Sequence, residues 1–440
     1  MSPFRRSLLC AHALSPIHSK CGTQIASIQS CPNLLLRIFT MNNKTLLIAP
    51  SLDVGLSSDG RVRLTGKFVG GMQMYVDHWD GPVALLAQKD EANHSGNLDD
   101  VWFRPSELPF DVTVADFKSK EAESAVARAA VVQGGTDHRL NHMPALCRSL
   151  GVPYVLVSEY SLRTRWQIID SEGLNPVIAW RRKLWAWRQE RANVAAAKAA
   201  SAVHCNGTPT YDAYKALNER TLLYFDSRVA SDMLPDEPKA AGRVPWSTAS
   251  PMRLAFSGRL NLMKGADHLV HVARALRDLG VPFTLDVYGD GPLVPDMKSA
   301  IEEHHLEGIL RLGGVLDFAS ELMPTVRDQV DLFVCCHRQG DPSCTYLETM
   351  ACGVPIVGYA NEAFEGLMKR CSAGVTVPMN DWAEMAAAIE RLYREPKQVE
   401  EMARAALAFA RQHTFEQEFR RRIAHMDNLL GSGARGLRRS

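Results

Sequence analysis

The sequence lacks the features that mark several specialised classes of protein. No run of 18 or more apolar residues occurs, so a membrane-spanning helix is not expected. The ten cysteines show no C-x-x-C spacing, which predicts reduced thiols in a cytosolic chain and makes a structural zinc site improbable. The net charge of +1 provides no excess of basic residues, so nucleic acid is not expected as a partner.

Acidic residues are also missing from one end of the chain. Residues 1–40 contain no Asp or Glu but several basic residues and many serines. Such a composition occurs in targeting peptides, but the apolar stretch at 8–14 is short and is interrupted by His12. Met41 begins a segment typical of a strand-first α/β protein, so we expect residues 1–40 to be a disordered extension.

The remaining sequence alternates apolar strand-like runs with helical segments, as α/β proteins with a doubly wound sheet do. A chain of 440 residues exceeds what one core usually holds, so two domains are expected. The predicted strands are 45–50, 83–88, 112–115, 130–132, 154–158 and 202–205 in the first half, and 254–257, 283–288, 309–312, 332–336, 356–357 and 375–377 in the second.

A linker is predicted at 232–250, which is rich in Pro, Ala, Gly and Ser and has no periodicity. We therefore predict an N-terminal domain at 41–237 and a C-terminal domain at 238–412. A helix at 413–430 is expected to cross back to the first domain, and residues 431–440 are expected to be loose.

Two segments of the second half carry residues suited to a nucleotide-sugar. In FSGRLNLMKG (256–265), Arg259 and Lys264 come after a predicted strand, and the glycines allow a diphosphate to approach the backbone. In DPSCTYLETMACGVP (341–355), Glu348 stands on a turn that leads into a helix, where its carboxylate can accept two ribose hydroxyls.

These segments resemble the C-terminal half of retaining glycosyltransferases of the GT-B fold, family 4, the group 1 glycosyl transferases. The resemblance implies two Rossmann-like domains that face a cleft. It also implies that Gly258, Arg259, Lys264 and Gly265 bind the donor diphosphate and that Glu348 holds the ribose.

The first glutamate of the family's E-x7-E motif is missing from this chain. Gly340 stands in its place with Asp341 beside it, so the contact to the donor sugar is either taken over by Asp341 or absent. The resemblance also assigns Ser343, Cys344 and Thr345 to donor binding, because they belong to the same loop.

Two candidates lie in the first half of the chain. Gly70 and Gly71 are predicted to end a loop before a helix, and the family's glycine pair at this place approaches the donor phosphates; a simple turn is the alternative. Glu159 comes directly after the strand at 154–158, where the family commonly has a catalytic histidine. Glu159 either contacts donor or acceptor hydroxyls or pairs with Arg163 or Arg165.

A polar loop at 133–143 holds Asp137, His138 and His142, any of which is a candidate for acceptor contact. The two histidines without a third ligand are more typical of a surface than of a metal site.

The segment 176–191 is basic and aromatic and has two interpretations. It is either an amphipathic helix on an anionic membrane, where a lipid-linked acceptor waits, or a helix whose apolar stripe packs on the sheet. We favour the packed helix, because the segment runs directly into a predicted strand.

The resemblance implies transfer of a sugar from a nucleotide-diphosphate donor to a glycan or lipid-linked acceptor, with retention. Arg259, Lys264 and Glu159 are the expected catalytic residues. No D-x-D motif is present, so neither a metal nor another cofactor is expected. The expected location is cytoplasmic, with peripheral contact at the membrane as an option. The alternatives are a non-catalytic nucleotide- or glycan-binding protein, and an epimerase or phosphorylase of the same fold.

Overall fold

The computed structural model describes residues 44–90, 100–238 and 250–436. The predicted extension at 1–40, most of the predicted linker and the last four residues lie outside this range. Within it, no helix combines the length and the apolar character needed to cross a lipid bilayer.

The first half of the chain forms a mixed sheet around a parallel core. Its strands are β1 (Leu46–Ala49), β2 (Asp53–Leu56), β3 (Val62–Thr65), β4 (Val83–Lys89), β5 (Asp100–Phe103), β6 (Asp111–Val114), β7 (Val131–Gly135), β8 (Tyr154–Ser158), β9 (Ala202–Asn206) and β10 (Thr221–Tyr224). The parallel strands run in the order β6-β4-β1-β7-β8-β9-β10. The short strands β2, β3 and β5 extend one edge, with antiparallel pairing of β3 to both its neighbours.

Within residues 44–90 and 100–238, six α-helices accompany this sheet. They are α1 (Gly66–His78), α2 (Lys120–Arg128), α3 (Met143–Ser149), α4 (Leu162–Ser171), α5 (Pro176–Ala199) and α6 (Gly207–Tyr214). Most begin at a side chain that accepts a backbone N–H of the first turn: Thr65 for α1, Ser119 for α2, Ser161 for α4 and Asn175 for α5. Local sequence therefore defines where these helices start.

The second half forms a fully parallel sheet. Its strands are β11 (Met252–Ser257), β12 (Phe283–Tyr288), β13 (Leu310–Gly314), β14 (Leu332–Cys335), β15 (Ile356–Tyr359) and β16 (Gly374–Val377). They run in the order β13-β12-β11-β14-β15-β16, the doubly wound order of dinucleotide-binding folds.

The second half also contains helices, and all of those described except the last pack against this sheet. They are α7 (Ala266–Asp278), α8 (Val294–Glu303), α9 (Met323–Gln329), α10 (Cys344–Ala351), α11 (Glu362–Met368), α12 (Trp382–Arg394), α13 (Pro396–Arg411) and α14 (Phe415–Gly436). Buried apolar residues of strands and helices form one continuous core here.

The last helix belongs to the core of the first sheet. Phe419, Ile423 and Met426 of α14 are buried in the same apolar cluster as Leu46 of β1, and the Phe419 ring lies 5.0 Å from that of Tyr75. The helix continues to Gly436, past its predicted end at residue 430. This packing places the C-terminal segment beside the edge of the first sheet.

Candidate functional site

The loops after β11 and β14 meet at the carboxyl-terminal edge of the second sheet. These strands are adjacent and parallel, but β11 continues to β12 on one side and β14 continues to β15 on the other. The connections that follow the two loops therefore run in opposite directions. The crevice at this point is where ligands bind in open α/β sheets. Both sequence motifs contribute to this crevice.

Glycine is required in the loop after β11 for steric reasons. Gly265 has a φ of 64°, and a Cβ there would lie 2.1 Å from the carbonyl oxygen of Cys336. A Cβ at Gly289 would lie 2.0 Å from the carbonyl oxygen of Gly258. The loop is thus packed directly against the backbone of its neighbours, which fixes the position of the residues that it carries.

Lys264 is buried in this crevice and forms an ion pair. Its exposed fraction is 7%, and its Nζ lies 2.9 Å from Oδ2 of Asp341. The second carboxylate oxygen of Asp341 is buried without a hydrogen-bond partner among the described residues. Asp341 thus directs its charge at the lysine of the first motif.

Arg259 lies exposed on the same loop and faces the other half of the molecule. Burial raises the pKa of Tyr160 to about 12, and the nearby positive charge of Arg259 opposes this rise. Because Tyr160 lies just beyond β8 of the first sheet, Arg259 extends from the second sheet towards the first.

Glu348 is buried on α10 with an exposed fraction of 7%. Its Oε1 accepts a hydrogen bond of 2.9 Å from Nε of Arg228, whose guanidinium also lies 4.0 Å from the centre of the Phe318 ring. Ser343, Cys344 and Thr345 form the start of α10, and Ser343 is its N-cap residue. The predicted donor residues of this segment are therefore contiguous in space, at the positive end of a helix dipole.

The prediction that a glycine-containing loop precedes a helix here is wrong. Gly70 and Gly71 lie inside α1, which already begins at Gly66, and a Cβ on Gly71 would lie 3.2 Å from the Phe419 ring. The small size of Gly71 thus allows α1 to pack closely against α14. The capping threonine before Gly66 was the local signal for the true start of the helix.

Lys67 in the first turn of α1 is a site residue that the sequence reasoning missed. Its Nζ lies 2.5 Å from Oδ2 of Asp226 and 3.5 Å from Sγ of Cys344 at the start of α10. Burial alone would lower the pKa of Lys67, but the Asp226 carboxylate outweighs this and the net shift is upward. The starts of α1 and α10 therefore meet across the two halves of the molecule.

A cavity of about 580 Å³ opens at the carboxyl-terminal edge of the first sheet. It lies at the ends of β1 and β7, between which the connections of this sheet also diverge. Lys67 and Asp226 line one part of it, and Tyr75, Gln133 and Arg422 line another.

Glu159 lines the same cavity at its open side. Crowding by surrounding protein raises the pKa of its carboxyl, and the Asp226 carboxylate adds to the rise. The alternative partners suggested by the sequence are engaged elsewhere: Arg163 pairs with Glu362 and Arg165 pairs with Glu190.

The residues of the polar loop at 133–143 have separate structural roles. Asp137 caps a short 3₁₀ turn and pairs with Arg139, while Nε2 of His142 lies 2.9 Å from the carbonyl oxygen of Phe117. The ring of His138 packs against that of Trp185. Asp137 and His138 lie together, with 3.2 Å between Oδ1 and Nδ1, but His142 points to a different contact.

The position of the missing glutamate is a contact between the two halves of the molecule. The N–H of Gly340 donates to Gln167 at 2.8 Å, and its carbonyl accepts from Thr164 at 3.0 Å; both partners belong to α4. A Cβ at Gly340 would lie 3.0 Å from Cβ of Glu362. A glutamate side chain does not fit here without rearrangement, so Asp341 provides the carboxylate of this loop.

The helix α5 contradicts the packing expected for the segment 176–191. Its buried residues Ala186, Asn193 and Ala197 recur at helical spacing and define the side that faces the protein. Trp180 is 64% exposed and Trp185 is 56% exposed, so the aromatic residues do not pack on the sheet. The other exposed large apolar residues of this helix are Val177, Ile178 and Trp187.

Part of the second half of the chain matches a known protein family. Residues 248–409 match the model of the family described as Glycosyl transferases group 1. The chain is 28% identical over 151 residues to alpha-D-kanosaminyltransferase of Streptomyces kanamyceticus, which covers 34% of this chain and 39% of that protein. It is 27% identical over 181 residues to the amylovoran biosynthesis glycosyltransferase AmsK of Erwinia amylovora, covering 40% of this chain and 43% of that protein. The chain thus spans less than half the length of these curated relatives.

Solved structures are similar over most of the chain. HepE of Anabaena, solved in complex with UDP, superimposes with a TM-score of 0.60 at 16% identity and covers 88% of this chain and 99% of that one. Together with the two Rossmann-like sheets, this likeness confirms the predicted α/β fold class, GT-B. The exact domain boundaries stay predictions.

Proposed function

We propose that this protein is a glycosyltransferase that moves a sugar from a nucleotide-diphosphate donor to an acceptor hydroxyl, with retention, in the assembly of a surface glycan or exopolysaccharide. The observation that carries the proposal is that two charged residues, Lys264 and Glu348, are both buried at the crevice of the second sheet. This crevice lies inside the region that matches the family model, and a relative named for amylovoran biosynthesis supports the type of product.

The donor diphosphate is assigned to Lys264, Arg259 and the start of α10. Lysine and arginine are complementary to phosphate, and a helix N-terminus adds backbone N–H donors and a favourable dipole. The ribose is assigned to Glu348, whose carboxylate accepts hydroxyl donors. Because Lys264 is paired with Asp341 in the described structure, the phosphate must share or replace this carboxylate.

Catalysis by these cations depends on where charge develops. When the bond between the sugar C1 and the phosphate oxygen breaks, negative charge accumulates on the leaving diphosphate. Lys264 and Arg259 stabilise this charge more strongly in the transition state than in the ground state, so they raise the rate. The acceptor oxygen then forms the new bond to C1, and its proton passes to the leaving phosphate oxygen. No metal or other cofactor is required in this proposal.

A non-catalytic binding protein of the same fold is the second candidate. The observation that favours it is that both donor residues are already paired, Lys264 with Asp341 and Glu348 with Arg228. A site that uses its charges for internal ion pairs holds a ligand less strongly than one with free charges.

A donor panel distinguishes the two candidates. UDP-, GDP- and ADP-sugars are tested for thermal stabilisation, and transfer of labelled sugar is then measured with the nucleotide that binds. Stabilisation followed by a glycosylated acceptor supports the transferase, and stabilisation without product supports the binding protein. Absence of stabilisation by every nucleotide contradicts the transferase and a nucleotide-binding protein.

We further infer that the outer side of α5 contacts an anionic membrane, where a lipid-linked acceptor is located. Trp180, Trp187 and Arg191 recur at helical spacing, and the guanidinium of Arg191 lies 5.4 Å from the Trp187 ring. Tryptophan and arginine together are typical of helices that lie in the interface of a bilayer.

Vesicle sedimentation tests this contact. The native chain is expected to pellet with phosphatidylglycerol vesicles more than with phosphatidylcholine vesicles, and the double variant Trp180→Ser/Trp187→Ser is expected to stay in the supernatant. Trp102→Ser removes a partly exposed tryptophan on β5 and serves as the control. Equal pelleting of the double variant and the control contradicts the inference.

A further inference from the structure

Arg422 of α14 is a buried cation in the cavity of the first sheet. Its exposed fraction is 8%, and it lines the cavity. It donates a hydrogen bond to the Tyr75 hydroxyl, which itself donates to Gln133 at 2.9 Å. Its Nε is buried without a hydrogen-bond partner among the described residues.

Aromatic rings rather than carboxylates surround this guanidinium. Its central carbon lies 4.3 Å from the Phe419 ring, 4.6 Å from the Tyr224 ring and 5.3 Å from the Tyr75 ring. In the described part of the chain, no Asp or Glu forms a salt bridge with Arg422. Cation–π contacts offset only part of the cost of removing a guanidinium from water.

Two carboxylates of the cavity, Asp226 and Glu159, lie near enough to act on the charge of Arg422 but form no salt bridge with it. Asp226 lies against Lys67 at 2.5 Å, and Glu159 stands at the open side of the cavity. An apolar residue at position 422 would pack against the three rings without the cost of removing a charge from water. A ligand that brings an anionic group into direct contact with the guanidinium therefore accounts for an arginine at this position.

The cavity is placed to hold an acceptor. Its lining residue Lys67 contacts Cys344 at the start of α10, the element that also carries Glu348. The cavity thus lies next to the start of α10, which belongs to the proposed donor site. Its volume of about 580 Å³ lies within the range of sites for small ligands.

We propose that this cavity binds an acceptor that carries an oxyanion, either the carboxylate of a uronic acid or a sugar phosphate, and that Arg422 recognises this group. The proposal rests on the proposed function, because it identifies the cavity as the acceptor site. The fork of the guanidinium fits both oxyanions, since each presents two oxygens to parallel N–H donors.

The test uses the full chain and compares three matched probes: glucuronic acid, glucose 1-phosphate and glucose. We measure their affinities calorimetrically in the presence of the nucleotide that binds to the donor crevice, or without nucleotide if none binds. At least one anionic probe is expected to bind at least tenfold more tightly than glucose, and the probe that does so identifies the source of the oxyanion. Equal affinity for all three probes overturns the proposal.

Variants separate this result from a folding defect. Arg422→Met preserves the packing against the rings and is expected to weaken the anionic probe by roughly 10- to 100-fold, the value of a charge-assisted hydrogen bond. Arg420→Met, an exposed position on the same helix, is the control and is expected to bind as the native chain does. Arg422→Lys keeps the charge and is expected to retain part of the affinity.

The proposed function and this inference can fail separately. Nucleotide binding that is unchanged in Arg422→Met, together with loss of the anionic probe, supports both. Unchanged affinity of Arg422→Met for the anionic probe overturns the role of Arg422 and leaves the donor site intact. Absence of nucleotide binding contradicts the proposed function, while selective binding of an oxyanion through Arg422 still supports an oxyanion site.

Discussion

Lys264→Met is the most informative substitution in the donor crevice. Methionine keeps the aliphatic length of lysine but removes the ammonium, so Asp341 loses its partner at 2.9 Å. Removing one member of a fully buried pair costs about 3–5 kcal/mol. Since 15% of the Asp341 side chain is exposed, we expect a smaller loss, about 2–3 kcal/mol in the free energy of unfolding.

The double variant shows whether this loss comes from the unpaired carboxylate. Adding Asp341→Asn to Lys264→Met removes the charge that was left without a partner, so part of the stability is expected to return. The coupling energy from the double-mutant cycle is expected to be about 1–3 kcal/mol. Urea unfolding of the native chain, both single variants and the double variant measures it.

Nucleotide binding gives the functional half of the same test. A nucleotide at 100 times its dissociation constant stabilises the native chain by about 2.7 kcal/mol. Lys264→Met is expected to lose most of this gain, because the diphosphate loses its buried cation. Asp341→Asn is expected to be less stable without nucleotide but to bind the diphosphate more tightly, because the competing carboxylate is gone.

The control is Lys298→Met, which removes an exposed lysine from α8 of the same half of the molecule. It is expected to leave both stability and nucleotide binding unchanged. If Lys264→Met keeps the full stabilisation by nucleotide, the assignment of the diphosphate to this crevice is refuted.

Three further substitutions test separate features. Gly265→Ala places a Cβ against the Cys336 carbonyl and is expected to cost about 2–4 kcal/mol in urea unfolding, whereas Gly280→Ala, with a positive φ but open space, is expected to cost about 1 kcal/mol. Glu159→Gln tests the raised pKa: the native fold holds this proton more tightly than the unfolded chain, so the stability from Glu159 is present at low pH and is lost as pH rises through the raised pKa. The variant is expected to have a higher melting temperature than the native chain at pH 7 and the same melting temperature below about pH 4. An equal difference at both pH values contradicts this. Glu348→Gln is expected to weaken nucleotide binding roughly tenfold or more by calorimetry without changing binding of the anionic probe; unchanged nucleotide affinity excludes the ribose contact.

Much of the sheet architecture could be predicted because central parallel strands are short apolar runs. The predictions at 154–158 and 283–288 coincide with β8 and β12, whose side chains are largely buried. The strands β2, β3, β5 and β10 were not predicted, since strands at or near a sheet edge are short and depend on their neighbours for stability. The local sequence pattern does not show which strands will pair with each other.

The starts of the helices show what the local sequence can predict and what it cannot. Gly70 and Gly71 suggested a loop because glycine is a weak helix former, yet they lie within α1. Packing against Phe419, far away in the sequence, requires the small residue there. Similarly, the exposure of the tryptophans of α5 depends on which side of the helix the sheet covers, and the sequence does not specify this side.

The amino-acid sequence alone specifies the alternation of strands and helices, the glycines of the loop after β11, and the charged residues of the two motifs. These depend on neighbours within a few residues. Which charges meet follows from the tertiary fold: Lys264 pairs with Asp341, Glu348 pairs with Arg228, and Arg422 forms no salt bridge with a described carboxylate. These relations depend on sheet order and on the return of α14 to the first sheet, because a charge is compensated by the groups near it in space, however far apart they lie along the chain.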